Sequence, residues 1–516
     1  MGKDLADQRV DSRSRVPEAW AEISRPARPS RFKPVLDGLN KRDLFCTLLG
    51  LFLFTTVMLL PTPGPAVDPM GESFPLTSQG KAALALFLLA ATWWVTEIIP
   101  IGVTSICIGV IQGLFLIRDP RTAFTDFMDP SVWFIFGSLV IGIAFTKTGL
   151  TKRMAYRTLS LVGERTSMIY LGCYGLTFSL TLIMAHTAVA ATVFPLLVTI
   201  NSMYGEPGKK TRFGKGLFMG MAFVAGAGSI VTLLGAARGA VALGFYRKFT
   251  GQDVSFFGLS AYMLPVGVVM TVLLWAYFMI VFKPEKDTVP GLTERAKKLH
   301  GKLGPISPAE IATMVIVGSS ITVFGLRSFV PAMVVLDKSA ILLVTTVLFF
   351  LFRILSAKDL ESIPWNIVLL FGGAISIGFC LWQTGAANWL AVKWLVMFHD
   401  ASWFVFVMAI AFFVLIMTNV IMNVAAIAIT LPVALVLASY MGVAPDLILY
   451  SSLVCAGMPF LLLVGAAPNA IAYESRQFTS AEFFKVGIPA SILLLVVLAF
   501  FVYFIWPWMG MPIRLT

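Results

Sequence analysis

The chain has 516 residues, of which 58% are hydrophobic and only 13% charged, and it carries a formal net charge of +12. A soluble protein could not cover that much apolar surface, and the apolar residues gather into stretches that can each cross a bilayer as a helix of about 20 residues with its backbone groups paired internally. The excess of Lys and Arg lies beside these stretches without an aromatic-basic reading surface, which argues against nucleic acid and makes the charge a topology signal.

Residues 1–43 are polar, Pro-punctuated and basic (Arg13, Arg15, Arg25, Arg28, Arg31, Lys33) and lack the short apolar core of a cleavable signal, so they read as a cytoplasmic tail. Cytoplasmic loops gather Lys and Arg, and the remaining basic loops therefore fix the threading. Helices near 44–60, 81–99, 101–117 and 131–150 bring the chain to Lys152, Arg153, Arg157 and Arg165 on the inner side, with 44–130 as scaffold. Residues 167–203 follow, and then a second basic loop with Lys209, Lys210, Arg212 and Lys215. Both loops can be cytoplasmic only if 167–203 enters the membrane and returns, so a re-entrant helical hairpin is predicted there.

Crossings at 216–246 and 259–282 complete a first unit over 131–282. The segment 283–307, with Lys283, Lys286, Arg295, Lys297, Lys298 and Lys302 among Pro and Gly, reads as a cytoplasmic linker. Residues 308–510 read as scaffold crossings at 308–332 and 337–355 followed by a second unit. That unit has a crossing at 364–386, a hairpin over 400–442 entering from outside, and crossings at 446–474 and 485–506. The expected fold is an all-α polytopic membrane protein with about eleven transmembrane helices, two re-entrant hairpins and a cytoplasmic N-terminus.

Three landmarks recur in order in the two units. Phe136-Gly137 followed by Thr148-Gly149 matches Phe371-Gly372 followed by Thr384-Gly385. Within the hairpins, Ala185-His186-Thr187-Ala188 with Pro195 matches Met422-Asn423-Val424-Ala425 with Pro432. Gly235-Ala236-Ala237-Arg238-Gly239-Ala240 then matches Gly465-Ala466-Ala467-Pro468-Asn469-Ala470, where small or helix-breaking residues interrupt an apolar span. The copies are separated by an odd number of crossings, so they run in opposite senses. Inverted-repeat carriers bind substrate near the midplane, where interrupted helices expose backbone N–H and C=O groups.

Cys46, Cys107, Cys173, Cys380 and Cys455 stand singly with no CxxC pair, and His186, His300 and His399 are far apart in sequence. Neither a disulfide framework nor a local metal-ligand cluster follows. No nucleophile-base constellation stands out, and no enzymatic role is expected.

At these landmarks, and at Thr96-Glu97-Ile98-Ile99-Pro100, the chain over roughly 44–510 resembles the divalent anion/sodium symporter family of dicarboxylate, citrate and sulfate carriers. The resemblance implies an elevator-type carrier, dimeric through its scaffold and lodged in the cell membrane, with two sodium ions and the substrate's carboxylates held by Ser-Asn-Thr motifs at the hairpin tips and Thr-Pro-Pro-Asn-like motifs at the breaks. This chain departs from all four. The tips read Ala185-His186-Thr187 and Met422-Asn423-Val424, and Ala236 and Ala466 stand at the Thr positions of the breaks. Sodium needs several oxygen ligands, so the lost hydroxyls put sodium coupling in question. Na+ and H+ both stand as candidate coupling ions, and no other cofactor is expected.

Arg238 lies in an apolar span, where an ionised side chain costs about 2.5–3.5 kcal/mol on insertion scales and is usually functional. It either replaces a missing sodium ion and holds the anion, or snorkels or pairs with an acid. His186 at the first tip suits proton coupling or a neutral hydrogen bond. Thr187, Asn423, Asn469 and Ala466 are the further candidates for substrate contact, and Ala185, His186, Ser229, Met422, Asn423 and Asn419 for ion contact. Ser229 and Asn469 can equally join helices, and Asn419 can serve as an interhelical donor. Glu97 reads as an interfacial acid or a substrate residue. The expected substrate is a dicarboxylate-like anion, with sulfate or a sulfonate, carried with or without exchange, as alternatives; a channel or a non-transporting sensor is the competing class.

Overall fold

The computed structural model describes residues 41–67, 73–205, 209–398, 401–420 and 422–515. Most of the expected tail, and His399, lie outside the described residues. The rest is helical apart from a ribbon pairing Ala66–Val67 with Ser73–Phe74. The helices are α1 Lys41–Leu59, α2 Ser78–Thr96, α3 Ile101–Leu114, α4 Pro120–Thr125, α5 Pro130–Thr148, α6 Leu150–Val162, α7 Thr166–Thr181 and α8 His186–Tyr204. They continue as α9 Arg212–Ser229, α10 Arg238–Thr250, α11 Phe256–Val281, α12 Leu292–Lys302, α13 Pro308–Phe329, α14 Lys338–Leu351 and α15 Ala357–Glu361. The second unit holds α16 Trp365–Gln383, α17 Ala386–Phe398, α18 Trp403–Val420, α19 Asn423–Tyr440, α20 Pro445–Gly457, α21 Ala467–Tyr473 and α22 Ser480–Phe500.

The repeat is visible in this order, because α5 to α11 and α16 to α22 list the same elements with their breaks in the same places. The Thr-Gly landmarks end α5 and α16 at Gly149 (φ 85°) and Gly385 (φ 77°), a left-handed turn that glycine adopts without strain. Each Phe-Gly landmark marks a close helix crossing: a Cβ on Gly137 would stand 2.7 Å from Leu342, and one on Gly372 would stand 2.4 Å from Phe127. The scaffold helices are exchanged between copies, α14 packing on α5 and α3 on α16.

Several elements depart from the expected threading. The 216–246 span is two helices, α9 and α10, because the chain leaves the helix over 230–237, where Gly235-Ala236-Ala237 precede Arg238. The basic stretch after Gly149 is the amphipathic helix α6, and 386–398, which had no element assigned, is its counterpart α17. The linker 283–307 is not all loop: Leu292 and Ala296, four residues apart, bury one side of α12 against α6 while its lysines stay exposed. Nine helices among the described residues are long and apolar enough to cross a bilayer. That set includes three of the four hairpin helices and leaves out both interrupted spans together with α2, α3 and α14, so it does not map one to one onto the expected eleven crossings.

Burial places the centre of the molecule. Helices α9, α19 and α20 are buried almost throughout, whereas α1, α13 and α22 expose Phe52, Phe329, Val496 and Phe500 on their outer faces. Apolar outer faces of this extent match hydrocarbon as the solvent.

Candidate functional site

Each hairpin tip is fastened to the break of its own copy. In the first copy the His186 N–H donates to the Gly235 carbonyl (2.9 Å) and the Thr232 hydroxyl donates to the Leu182 carbonyl (2.8 Å). In the second, Asn419 Oδ1 accepts from the N–H groups of Leu461 (2.7 Å) and Leu462 (3.3 Å), and the Thr418 hydroxyl donates to the Ala456 carbonyl (3.1 Å). The amide of Asn469 reaches back across the same break to the carbonyls of Pro459 (2.8 Å) and Leu462 (3.2 Å). Helix interruption frees backbone groups at the breaks, and these contacts satisfy several of them.

The two breaks meet at Arg238 and Gly457. A Cβ on Gly457 would stand 2.6 Å from Arg238 Nη2 and one on Gly226 would stand 2.8 Å from the Gly457 carbonyl oxygen, so the guanidinium of the first copy lies against the end of α20 in the second. Arg238 is 1% exposed. Its Nη2 donates to Ser229 Oγ (2.7 Å), while Nη1 is buried and has no partner. Two other arginines are nearly buried, and both have acids: Arg118 with Asp126 at 2.6 Å and Arg327 with Asp253 at 2.7 Å. Among the described residues Arg238 is the buried arginine without an acid.

His186 begins α8, is buried, faces the Arg238 charge, and leaves Nδ1 without a hydrogen-bond partner. Asn423 begins α19, is buried, and makes no side-chain hydrogen bond to another described residue. The N-cap positions of α8, α10 and α19 are Ala185, Ala237 and Met422, and no side chain caps any of the three. Uncapped first turns present free N–H groups and the positive end of the helix dipole, the same preference that an unpaired guanidinium expresses for an anion.

The candidates therefore separate. Arg238, Ser229 and His186 share one locus with Ala185 at the first tip and break, where Thr187 stands beside His186. Asn423 and Met422 form the second tip, with Ala466 and Asn469 at its break. Asn419 spends both its amide donor and its Oδ1 on backbone, and Asn469 spends its amide donor there. Glu97 lies apart from the site, exposed at the end of α2 with φ 49°. Sequence reading missed the Arg118–Asp126 pair, which ties α4 and the approach to it onto the Ser376 carbonyl of α16 (3.1 Å). Among the described residues no three His, Cys, Asp or Glu side chains gather as a metal site.

A cavity of about 710 Å³ runs alongside α8 and ends at Thr187 and Ala188. Its walls include Leu139, Ile143, Ala191 and Ile367, and Lys147 and Lys152 line its other end. There Lys147 pairs with Asp359 at 2.6 Å. Partial burial works to raise the Asp359 carboxyl, but hydrogen bonds from Lys147 and Ser356 outweigh it and hold the group at about 2. The equivalent helix α19 is enclosed, with every residue from Asn423 to Ala438 buried.

Repeated, interrupted helices meeting inside an apolar bundle define a polytopic membrane transporter fold. The chain belongs to the family described as the sodium:sulfate symporter transmembrane region, which it matches over residues 43–512. It is 26% identical over 489 residues to the sodium-dependent dicarboxylate transporter SdcS of Staphylococcus saprophyticus, covering 91% of this chain and 92% of that protein. The SdcS of Staphylococcus aureus strain MRSA252 is 26% identical over 486 residues, with 90% and 91% covered. Among solved structures, the Alcanivorax borkumensis YdaH transporter superposes with a TM-score of 0.57 at 14% identity, over 92% of this chain and all of that one. MtrF of Neisseria gonorrhoeae, described with a class of antimetabolite efflux pumps, gives 0.55 at 12% identity, over 90% and 94%.

Proposed function

We propose that this protein is a secondary carrier of small organic anions, in which Arg238 supplies at the first tip and break the fixed positive charge that a sodium ion provides in relatives. The observation that carries the proposal is a fully buried guanidinium with no acid and one nitrogen unpartnered, at the meeting point of two interrupted helices. Burying an uncompensated cation is costly, and a bound anion offsets that cost on each loading. The SdcS relatives point to dicarboxylates, with sulfate or sulfonates as the alternative class.

The mechanism proposed is alternating access of elevator type. Of eleven crossings, six join the two re-entrant hairpins in two inverted units (131–282 and the latter part of 308–510) that carry the site, while the other five, in 44–130 and the first helices after the linker, form a dimeric scaffold. Support comes from the unequal surroundings of equivalent helices: α8 borders a large cavity and α19 is enclosed. Exchanging those surroundings between copies would open the opposite face. The N-terminus and the Lys152 end of the cavity are assigned to the cytoplasm. Because the tips have lost hydroxyls, exchange or proton coupling fits the first site better than sodium.

Counterflow in proteoliposomes tests this reading, using labelled succinate, citrate, sulfate and propanesulfonate with sodium and pH gradients set independently. A carrier exchanges internal for external label, and Arg238→Gln abolishes the exchange. Absence of counterflow for the whole panel, or full activity in Arg238→Gln, overturns it.

A further inference from the structure

Resting on the anion-carrier part of that reading and departing from its dicarboxylate class, we infer that the transported species presents a single ionised group to the site and that the rest of the molecule is uncharged, as in a monosulfonate or monocarboxylate rather than a dianion. The two half-sites are alike in backbone plan and unlike in chemistry. The first offers the Arg238 guanidinium, the Thr187 hydroxyl beside His186, and two buried nitrogens, Arg238 Nη1 and His186 Nδ1, that lack partners. His186 is buried with Nδ1 unpartnered, so it offers the site a hydrogen-bonding nitrogen.

Among the described residues the second half-site contributes no cation of its own, and the Arg238 guanidinium at the meeting of the two breaks is the one positive charge there. Met422, Val424 and Ala466 are apolar at the positions matching Ala185, Thr187 and Ala236, Asn423 keeps a free amide, and Asn469 keeps its amide oxygen alone, an acceptor that repels an anion. Asn419 and Asn469 would be the remaining donors, but both spend their amide N–H groups on backbone carbonyls. An ionised group lodged there without a cation or a full set of donors would bear most of its desolvation cost, several kcal/mol even after relaxation.

The lysines outside do not supply the missing charge. Lys147 and Lys152 line the far end of the cavity, Lys147 is paired with Asp359, and the lining residues Thr187 and Thr199 of α8 span about 18 Å at the helical rise. That separation exceeds the screening length of roughly 8–10 Å in physiological salt. The cavity walls between are largely apolar, which suits the uncharged body of such a molecule during passage. Its volume of about 710 Å³ places no tight limit on that body's size.

The inference is tested by isothermal titration of the purified full-length protein with propanesulfonate and with ethanedisulfonate, each with and without sodium. Both probes stay fully ionised, so protonation cannot lend a dianion the form of a monoanion. Propanesulfonate is expected to bind, and ethanedisulfonate to bind at least about tenfold more weakly, 1.4 kcal/mol per decade, whether or not sodium is present. Equal or tighter binding of the disulfonate, in either salt, overturns the single-charge inference while leaving the anion-carrier reading intact. If neither probe binds and the counterflow panel is also silent, the carrier reading fails and the inference fails with it; if neither binds but dicarboxylates exchange, the inference alone is wrong.

Discussion

Gly457→Ala isolates the guanidinium's position from its charge. The new Cβ would lie 2.6 Å from Arg238 Nη2 and 2.3 Å from Ile230 Cγ2, whereas ordinary contact begins at 3.4 Å. The guanidinium must therefore withdraw by about 0.8 Å. Its bond to Ser229, 2.7 Å in the native chain, is stretched or bent by that withdrawal and so weakened. A hydrogen bond to a charged group contributes about 1.5–3 kcal/mol, and crowding Ile230 adds an overpacking cost of about 1–3 kcal/mol. An anion positioned against Arg238 Nη1 loses its contact by the same displacement, so propanesulfonate affinity should fall at least about tenfold. Titration calorimetry and a thermal unfolding scan on the same preparation measure both effects. Gly318→Ala, where a Cβ meets open space in α13, serves as the control and should leave affinity unchanged. Wild-type affinity in a folded Gly457→Ala protein would refute the placement of the anion at Arg238.

Other outcomes follow from the same geometry. Arg238→Lys should lose most anion affinity despite keeping a charge, because an ammonium lacks the planar fork that engages Ser229 and an anion at once; retention of wild-type affinity would argue against a directional role. A cysteine at Ala191, on the cavity wall, should react with an impermeant thiol reagent from the Lys152 face alone, and its modification should stop counterflow; labelling from the opposite face would reverse the assigned topology. Asp253→Asn removes the acid shared by Arg327 (2.7 Å) and Lys338 (2.6 Å) and should lower the unfolding temperature, since it strands two nearly buried cations. Burial works to raise the Asp253 carboxyl, but Lys338 and Arg327 hold it below the ordinary carboxylate range. Its stabilisation is therefore fully present above the unfolded-state value near 3.9 and is lost as pH falls through the lower folded value. An unfolding profile in Asp253→Asn that runs parallel to wild type through that acid window would contradict this account.

Much of the architecture is legible in the sequence because lipid imposes it. Apolar length pointed to the helical membrane fold, since backbone in hydrocarbon must bond to itself, and the paired landmarks fall at matching helix ends and breaks. The short helices α6, α12 and α17 were harder to see. Their amphipathic or mixed patterns resemble loops when each is read alone, and the signal that could have found two of them was their shared position after Thr-Gly. The candidate site was legible as a set of residues at tips and breaks, and Arg238 stood out because a charge in an apolar span has few cheap explanations.

The sequence by itself determined that this chain lives in a membrane, that it is built twice from one plan, and where that plan is interrupted. Tertiary structure alone decided which polar residues remain available. Asn419, Asn469 and Asn423 look equivalent as letters, yet the first two bind the carbonyls and N–H groups exposed by the second break, and Asn423 does not. Arg118, Arg238 and Arg327 all lie within or beside apolar stretches, but only through-space packing gives two of them an acid and leaves the third bare. The reason is that helix interruption creates unpaired backbone groups at places fixed locally, while the side chains that satisfy them, or fail to, arrive from distant parts of the chain.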